Sequence, residues 1–401
     1  MKRRRVKITG IGFVTPAGIG KEAFKKGILE SVSRVVPVTR FDPAAGPFVA
    51  AEVKGFRVAD YVGSSVSKQL PRHTQFALAG TKLALRDAGI GDDELRALSP
   101  LVVLGTSLIG HDLMNKTIGE VARGGPRRAL ARAVFQAPGG SIAGPVLEIL
   151  GTGRALYLQT ACCAGSDAIG NAANMVASGE TDLAICGGTE APIFDCPMYE
   201  LKMAGLSPDT VDRAEQLCRP FDLWRTTGVI GEGACILTIE PETSPRPGYA
   251  FISGYAFSSD QLGDSCGGLH EAIRLCLANA GVRTREIDHI SAWGPGHRKI
   301  DAAEAAALRR VFGNELGHIP AVSIKGSIAN PLGAAGAIQI GCAALGIRDS
   351  FIPPTVNWRH PDPACPLNLS AQPRFLPIGT VLVDAHGLSG SNSCMVLKRC
   401  T

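Results

Sequence analysis

Short apolar runs and helical stretches rich in small residues recur along this chain in the same order in its two halves. VKITGIGFVT (6–15) has the cadence of AFISGYAFSS (250–259), with Gly10 opposite Gly254. ALAGTKLALRDAGI (77–90) parallels LHEAIRLCLANAGV (269–282), and both end in the Ala-Gly of a helix C-cap. Strand-like LVVLGTS from Leu101 answers HISAWG from His289. ALYLQTACCAGSDAIGNAANMVASG and AVSIKGSIANPLGAAGAIQIGCAALG each run from a strand into a small-residue helix. DLAICGGTE and TVLVDAHGLSG close the two halves. The order strand, helix, strand, strand, helix, strand, used twice, predicts an α/β protein of two similar halves, 1–247 and 248–401, in one compact unit. Pro241, Pro245 and Pro247 mark the junction, and the first half carries the larger insertions, around 18–75 and 191–232. The nearly charge-free strands imply sheets covered on both faces. Helices of Ala and Gly after Thr160 and Asn330 have no polar face to give to water, so they are expected in a central, closely packed layer.

Composition narrows the function classes. Of 401 residues, 45% are hydrophobic and 19% charged, enough apolar material for an ordinary core, and no stretch reaches the length of a membrane span. The opening MKRRRVKITGIGFV superficially resembles a secretory leader, but Lys7, Gly10 and Gly12 interrupt its apolar part, and a first strand is expected. The twelve cysteines include no CxxC pair, and Cys186, Cys235, Cys276 and Cys342 lie in apolar runs, which fits reduced thiols in a cytoplasm. A net charge of +5, with no basic run interleaved with aromatics, argues against nucleic acid as a partner. The densest basic segment, RGGPRRALAR (123–132), reads as a solvated helix start or as a docking site for a small acidic partner. Neither a metal-ligand cluster nor a nucleotide-binding glycine loop is evident, GTGRA at Gly151 being too short, so no cofactor or metal is expected.

Chemistry concentrates in QTACCAGSDAIG, where a strand ends and a helix begins at Cys162. A thiol at a helix N-terminus feels the positive end of the macrodipole, which lowers its pKa, and backbone N–H groups there can hold an oxyanion. A buried structural cysteine fits the same pattern, and Cys163 is read as structural.

With these residues in view, the chain resembles the β-ketoacyl synthases of the type II, elongating kind, in the thiolase superfamily. RRVKITGIGFVTPAG, QTACCAGSDAIG with GETDLAICGGTE, RPFDLWRTTGVIGEGA, KGSIANPLGAAGAIQ and PPTVNWRHPDPAC carry the resemblance nearly end to end. It implies a five-layered αβαβα thiolase-like fold, normally dimeric, handling acyl thioesters on acyl carrier protein in fatty acid or polyketide biosynthesis. In such synthases a cysteine accepts the acyl chain and two histidines assist decarboxylation of malonyl thioester. Cys162 matches the nucleophile; Trp293 and Asn330 stand at the positions of the two histidines. Lys325 matches the lysine upstream of the second histidine, and Asp301 and Glu304 match the acidic pair after the first; together they are expected to hold the two half-sites. Gly387-Leu388-Ser389-Gly390 matches the closing gate, with Leu388 in place of phenylalanine; Cys162, Leu388 and Gly387 are implied as oxyanion hole and gate, Gly387 and Leu388 offering backbone N–H groups to an acyl carbonyl. Arg127 and Arg128 fall where the family presents cations to its acidic carrier.

Indole donates one hydrogen bond but takes no proton, so Trp293 argues against ordinary decarboxylative condensation, while Asn330 retains an amide N–H for an oxyanion. His297, four residues beyond Trp293, and His386, before the gate glycine, read first as loop or structural histidines, His386 within the supporting polar network. Of the two, His386 is the better candidate to stand in, because the closing loop approaches Cys162 in this family. Three functions follow. The first is acyl transfer through a Cys162 acyl-enzyme, from carrier protein or acyl-coenzyme A. The second is a non-condensing partner subunit, like the chain-length factors that pair with an active ketosynthase. The third is an atypical condensing synthase. All three imply a homodimer or a heterodimer with another ketosynthase, and none a membrane.

Overall fold

The computed structural model describes residues 3–42, 46–63, 70–108, 110–137, 139–261 and 266–400. In the first half, β1 (Val6–Thr15), α1 (Arg72–Ala88), β2 (Leu101–Gly105), β3 (Arg154–Leu158), α2 (Ala164–Ser178), β4 (Ala184–Glu190) and β5 (Gly233–Pro241) follow one another. The second half repeats them as β6 (Ala250–Ser259), α3 (Leu269–Ala280), β7 (His289–Ser291), α4 (Arg298–Phe312), β8 (Ala321–Val322), α5 (Ala335–Asp349), β9 (Thr380–His386) and β10 (Ser391–Arg399).

Strands lie in the order β3-β2-β4-β5-β1-β6-β10-β9-β7-β8, a sequence that is symmetric about its centre. Three strands run parallel at each outer end (β3, β2, β4 and β9, β7, β8), and antiparallel pairs connect them to the middle. The two five-stranded sheets meet only where Val6–Ile8 pairs with residues 250–252. The internal repeat is therefore structural. Its signature is the glycine pair: β1 shifts register between Ile8 and Gly10, and β6 between Ile252 and Gly254. A Cβ at Gly10 would lie 2.3 Å from the Ala84 carbonyl oxygen of α1, and one at Gly254 would lie 2.6 Å from the Cys276 carbonyl oxygen of α3. Each outer helix thus packs backbone-close on the first strand of its own half.

The Ala/Gly helices form the expected inner layer. Residues 335–347 of α5 are all buried, and α2 and α5 pack on one another, Gly336 lying so near Ser166 that a Cβ would sit 2.8 Å from the Ser166 Cβ. Helices, sheet, helices, sheet and helices give the five-layered thiolase-like α/β arrangement.

Three details differ from the sequence reading. Each half contains a further antiparallel strand, β5 or β10, wedged between the closing strand and the first strand of that half. Strands of each sheet are not all covered, because β3 lies at the edge and its residues 154–156 are exposed. The strand expected at AVSIKGS is only two residues, Ala321–Val322, after which Lys325–Ile328 makes a helical turn.

Candidate active site

The end of β3 leads through Thr160 into a tight turn, Ala161–Cys163, that feeds α2. Ala161 adopts a left-handed φ of 51°, a conformation costly for a residue with a Cβ, which lifts Cys162 out of the strand path. Cys162 is 5% exposed. Gly387 lies against this turn, within 3.4 Å of the Cys162 nitrogen by its would-be Cβ, and the backbone N–H groups of Leu388 and of Cys162 itself are both directed at the sulfur. Two N–H donors converging on a sulfur are what an oxyanion hole requires. The Gly387 N–H, by contrast, is donated to the Ser391 carbonyl at 2.7 Å and is not offered to an acyl carbonyl, contrary to the sequence expectation. Leu388 is 49% exposed, at the mouth.

The thiol's charge state departs from the sequence expectation. Burial pushes the Cys162 pKa up to about 12, and nearby Glu190 pushes the same way; Lys325 and the two N–H groups pull against them and do not win. The helix end is real, but a sulfur out of water loses more than the helix end returns.

Trp293 is 1% exposed at the end of β7. Its backbone is gripped on both sides: Glu304 and Asp384 each accept its N–H at 2.8 Å, Glu304 also accepts the Gly294 N–H, and the Lys325 ammonium donates to its carbonyl. Lys325 donates in turn to Gln339 at 3.0 Å, and the Gln339 amide donates to the carbonyls of Ser291, Ala292 and Asp384. Through these side-chain bonds Lys325 and Glu304 fix the Trp293 loop within the second half, while the Lys325 carbonyl reaches the first half by accepting from the Cys218 thiol at 3.0 Å. Burial lowers the Lys325 pKa to about 8 and raises Glu304 well above the usual carboxylate range, with Asp384 raised to about 6. Of the three, Asp301 bridges the halves by its side chain, which accepts the Phe221 N–H at 2.7 Å and stands 3.6 Å from Arg225. Burial raises its pKa to about 7.

The Trp293 indole N–H is buried without a hydrogen-bond partner among the described residues, as is the side-chain oxygen of Asn330. The Asn330 backbone is tied to Val229 and Gly231. His386 is 1% exposed, its ring edge-on to Trp293 with centroids 5.5 Å apart. His297 instead caps α4, its ring nitrogen accepting the Ile300 N–H. Cys163 is buried, its thiol donating to the Ser391 carbonyl, which suits the structural role expected of it. Arg127 and Arg128 lie exposed on the turn Pro126–Arg128, Arg128 3.8 Å from Glu120. No group of three or more His, Cys, Asp or Glu among the described residues could hold a metal.

Sequence reasoning missed Glu190, although it ends the GGTE motif. This carboxylate accepts from Thr106, Ser107 and the Gly333 N–H, joining the loop after β2 to the start of the second small-residue helix. Asp384, Gln339 and Asn392 were likewise invisible, because each acts through a strand end that only the fold brings near.

The family model for the N-terminal domain of β-ketoacyl synthase matches residues 3–244, and that for the C-terminal domain matches 249–359. The chain belongs to the β-ketoacyl synthase family. The 3-oxoacyl-[acyl-carrier-protein] synthase 2 of Coxiella burnetii is 31% identical over 414 residues, covering 100% of this chain and 99% of that protein. Among solved structures, the ishigamide ketosynthase/chain length factor superposes with a TM-score of 0.92 at 30% identity, over 100% of both chains. A type II polyketide acyl carrier protein in complex with its ketosynthase bound to the hexaketide gives a TM-score of 0.88 at 25% identity, again over 100% of both chains. The β-ketoacyl synthases of this family are transferases.

Proposed function

We propose that this ketosynthase-family chain transfers acyl groups through a Cys162 thioester and does not perform ordinary decarboxylative condensation. The observation that carries the reading is the pairing of a sulfur and two convergent N–H donors with a tryptophan, its backbone fixed by three hydrogen bonds and its indole N–H unpartnered among the described residues, where the family uses a histidine. Sulfur attack on a thioester carbonyl needs the first two features; enolate formation from a malonyl unit needs proton-handling or strongly donating groups that Trp293 does not supply. The donor would be an acyl chain on an acyl carrier protein or coenzyme A, as the carrier complex among the structural neighbours suggests.

A second reading is favoured by a different observation. Helix His111–Gly124 has Leu113 as its one buried residue, and Ile118, Val134 and Phe135 are 60%, 72% and 76% exposed. Such a surface suits a second ketosynthase-fold subunit, and with a ketosynthase/chain length factor among the neighbours it supports a partner-subunit role. Intact-protein mass after mixing with acyl carrier and acyl-coenzyme A panels separates the two. Acyl adducts on the wild type and none on Cys162→Ala support transfer. No adduct with any donor supports the partner role, and release of carbon dioxide from malonyl thioester refutes the non-condensing reading.

A further inference from the structure

A thiol raised by burial needs a base if it is to attack near neutral pH, and Trp293 is not one. His386 is held in a defined tautomer by a chain of side chains outside the family-matched set. The Asn392 amide nitrogen faces the Asp260 carboxylate at 2.7 Å and the Gly390 carbonyl at 3.4 Å. Both are pure acceptors, so that side of the amide is the NH₂ group and the other is its oxygen. That oxygen lies 2.8 Å from His386 Nδ1. Nδ1 must therefore carry the proton, and Nε2 is left with its lone pair. Asp260 is itself anchored by the Cys266 and Gly268 N–H groups. The strand that ends at His386 continues directly into Gly387 and Leu388, which line the sulfur, and the ring packs on Trp293.

We infer that His386, oriented by Asn392 and Asp260, is the proton acceptor for Cys162. The inference rests on the acyl-transfer reading for its purpose, although its test does not. Nε2 takes the thiol proton, giving a thiolate–imidazolium pair. Sulfur forms a bond to the thioester carbonyl carbon, and the C=O π pair moves to oxygen, held by the two N–H groups. On collapse the carrier's C–S bond breaks, and the departing thiolate recovers the proton from His386. The products are acyl-Cys162 and a free carrier thiol. Asp260, 3.9 Å from Nδ1, is the charged group facing the ring. Burial depresses the imidazole pKa while Asn392 and Asp260 support its charged form, so the ring stays neutral at rest and can be protonated in the reaction.

The test is the pH dependence of Cys162 alkylation by iodoacetamide, followed on the Cys162 peptide by mass, in the wild type, His386→Phe and Asn392→Leu. Alkylation reports thiolate formation and needs no acyl donor. His386→Phe is expected to slow alkylation at pH 7 at least tenfold and to move its midpoint upward, with Asn392→Leu intermediate. His386→Ala is expected to recover part of the rate with added imidazole, which a purely structural histidine would not allow. An unchanged alkylation profile in folded His386→Phe, verified by circular dichroism, overturns the inference. If that variant does not fold, an unchanged profile in His386→Gln does so. A shifted profile with no acyl adduct in the wild type leaves His386 as the base and overturns acyl transfer alone.

Discussion

Replacing Lys325 with methionine removes the cation between two buried carboxylates and leaves Glu304 and Asp384 facing the Trp293 backbone. Methionine keeps the apolar stem, so the perturbation is chiefly electrostatic. Deleting one partner of a buried ionic group typically costs about 3–5 kcal/mol. Here the carboxylates can relieve the cost by taking up protons, because burial already holds Asp384 at about 6 and Glu304 higher. The sign follows from linkage. The native pKa of Asp384 lies above its unfolded value of about 3.9, so the native state binds the proton more tightly. Its stability contribution is full below about pH 4 and is lost as pH rises through the native value. Removing Lys325 raises that native value further, so the extra loss appears near neutrality. At pH 5 both carboxylates are largely protonated, and the wild type carries a buried lysine with little to offset it. We expect Lys325→Met to be less stable by about 3 kcal/mol at pH 7 and by no more than about 1 kcal/mol at pH 5. Thermal unfolding of both proteins at the two pH values measures the difference. A deficit that is equal at both, or larger at pH 5, would refute this account of the network.

Trp293→His restores a proton-accepting ring at the end of β7, and malonyl thioester decarboxylation is expected to rise above the wild-type background; no rise in released carbon dioxide would mean that Trp293 is not the block. Leu388→Phe narrows the exposed mouth, and acylation by long chains is expected to slow more than acylation by short ones; equal rates across chain lengths would remove the gate role from Leu388. Gly10→Ala places a methyl 2.3 Å from the Ala84 carbonyl oxygen, so α1 must shift from β1 at a cost of about 1–3 kcal/mol, read as a lowered melting temperature. An unaltered melting temperature would show that the helix is not held backbone-close.

The repeat was legible because each half spells the same local physics. Gly10 and Gly254 admit the outer helix, and the Ala/Gly helices can only be buried. The turn that carries Cys162 was legible because a strand-to-helix turn with a thiol is a local arrangement. What was not legible depends on distance in sequence. The thiol's charge state turns on its depth beneath the surface, which the helix end does not reveal. Lys325, Asp301 and Glu304 lie in neighbouring motifs, yet the Asp301 carboxylate reaches the first half through Phe221 and Arg225, some 80 residues away in the chain, and Lys325 does so only by its backbone carbonyl, to Cys218. The exposure of β3 follows from its edge position, and no periodicity within Arg154–Leu158 announces an edge.

The duplication also explains why this site can lose histidines and keep its frame. β4 and β9 are equivalent strands, each pairing with the antiparallel strand that follows, and both point their last residue toward Cys162's surroundings. One ends in Glu190, which binds the loop after β2 and the Gly333 N–H; the other ends in His386, which Asn392 and Asp260 orient. A buried carboxylate on one side opposes a thiolate, while the imidazole on the other is the proton acceptor inferred above. The oxyanion hole is split in the same way, one N–H from Cys162 in the first half and one from Leu388 in the second. Trp293 and Asn330 belong to loops after β7 and β8; Trp293 is tied to the second support through Asp384 and the His386 ring, whereas the Asn330 side-chain oxygen is buried without a partner among the described residues. On the acyl-transfer reading proposed above, this shared frame is what would serve acyl capture at Cys162 with Trp293 and Asn330 in place.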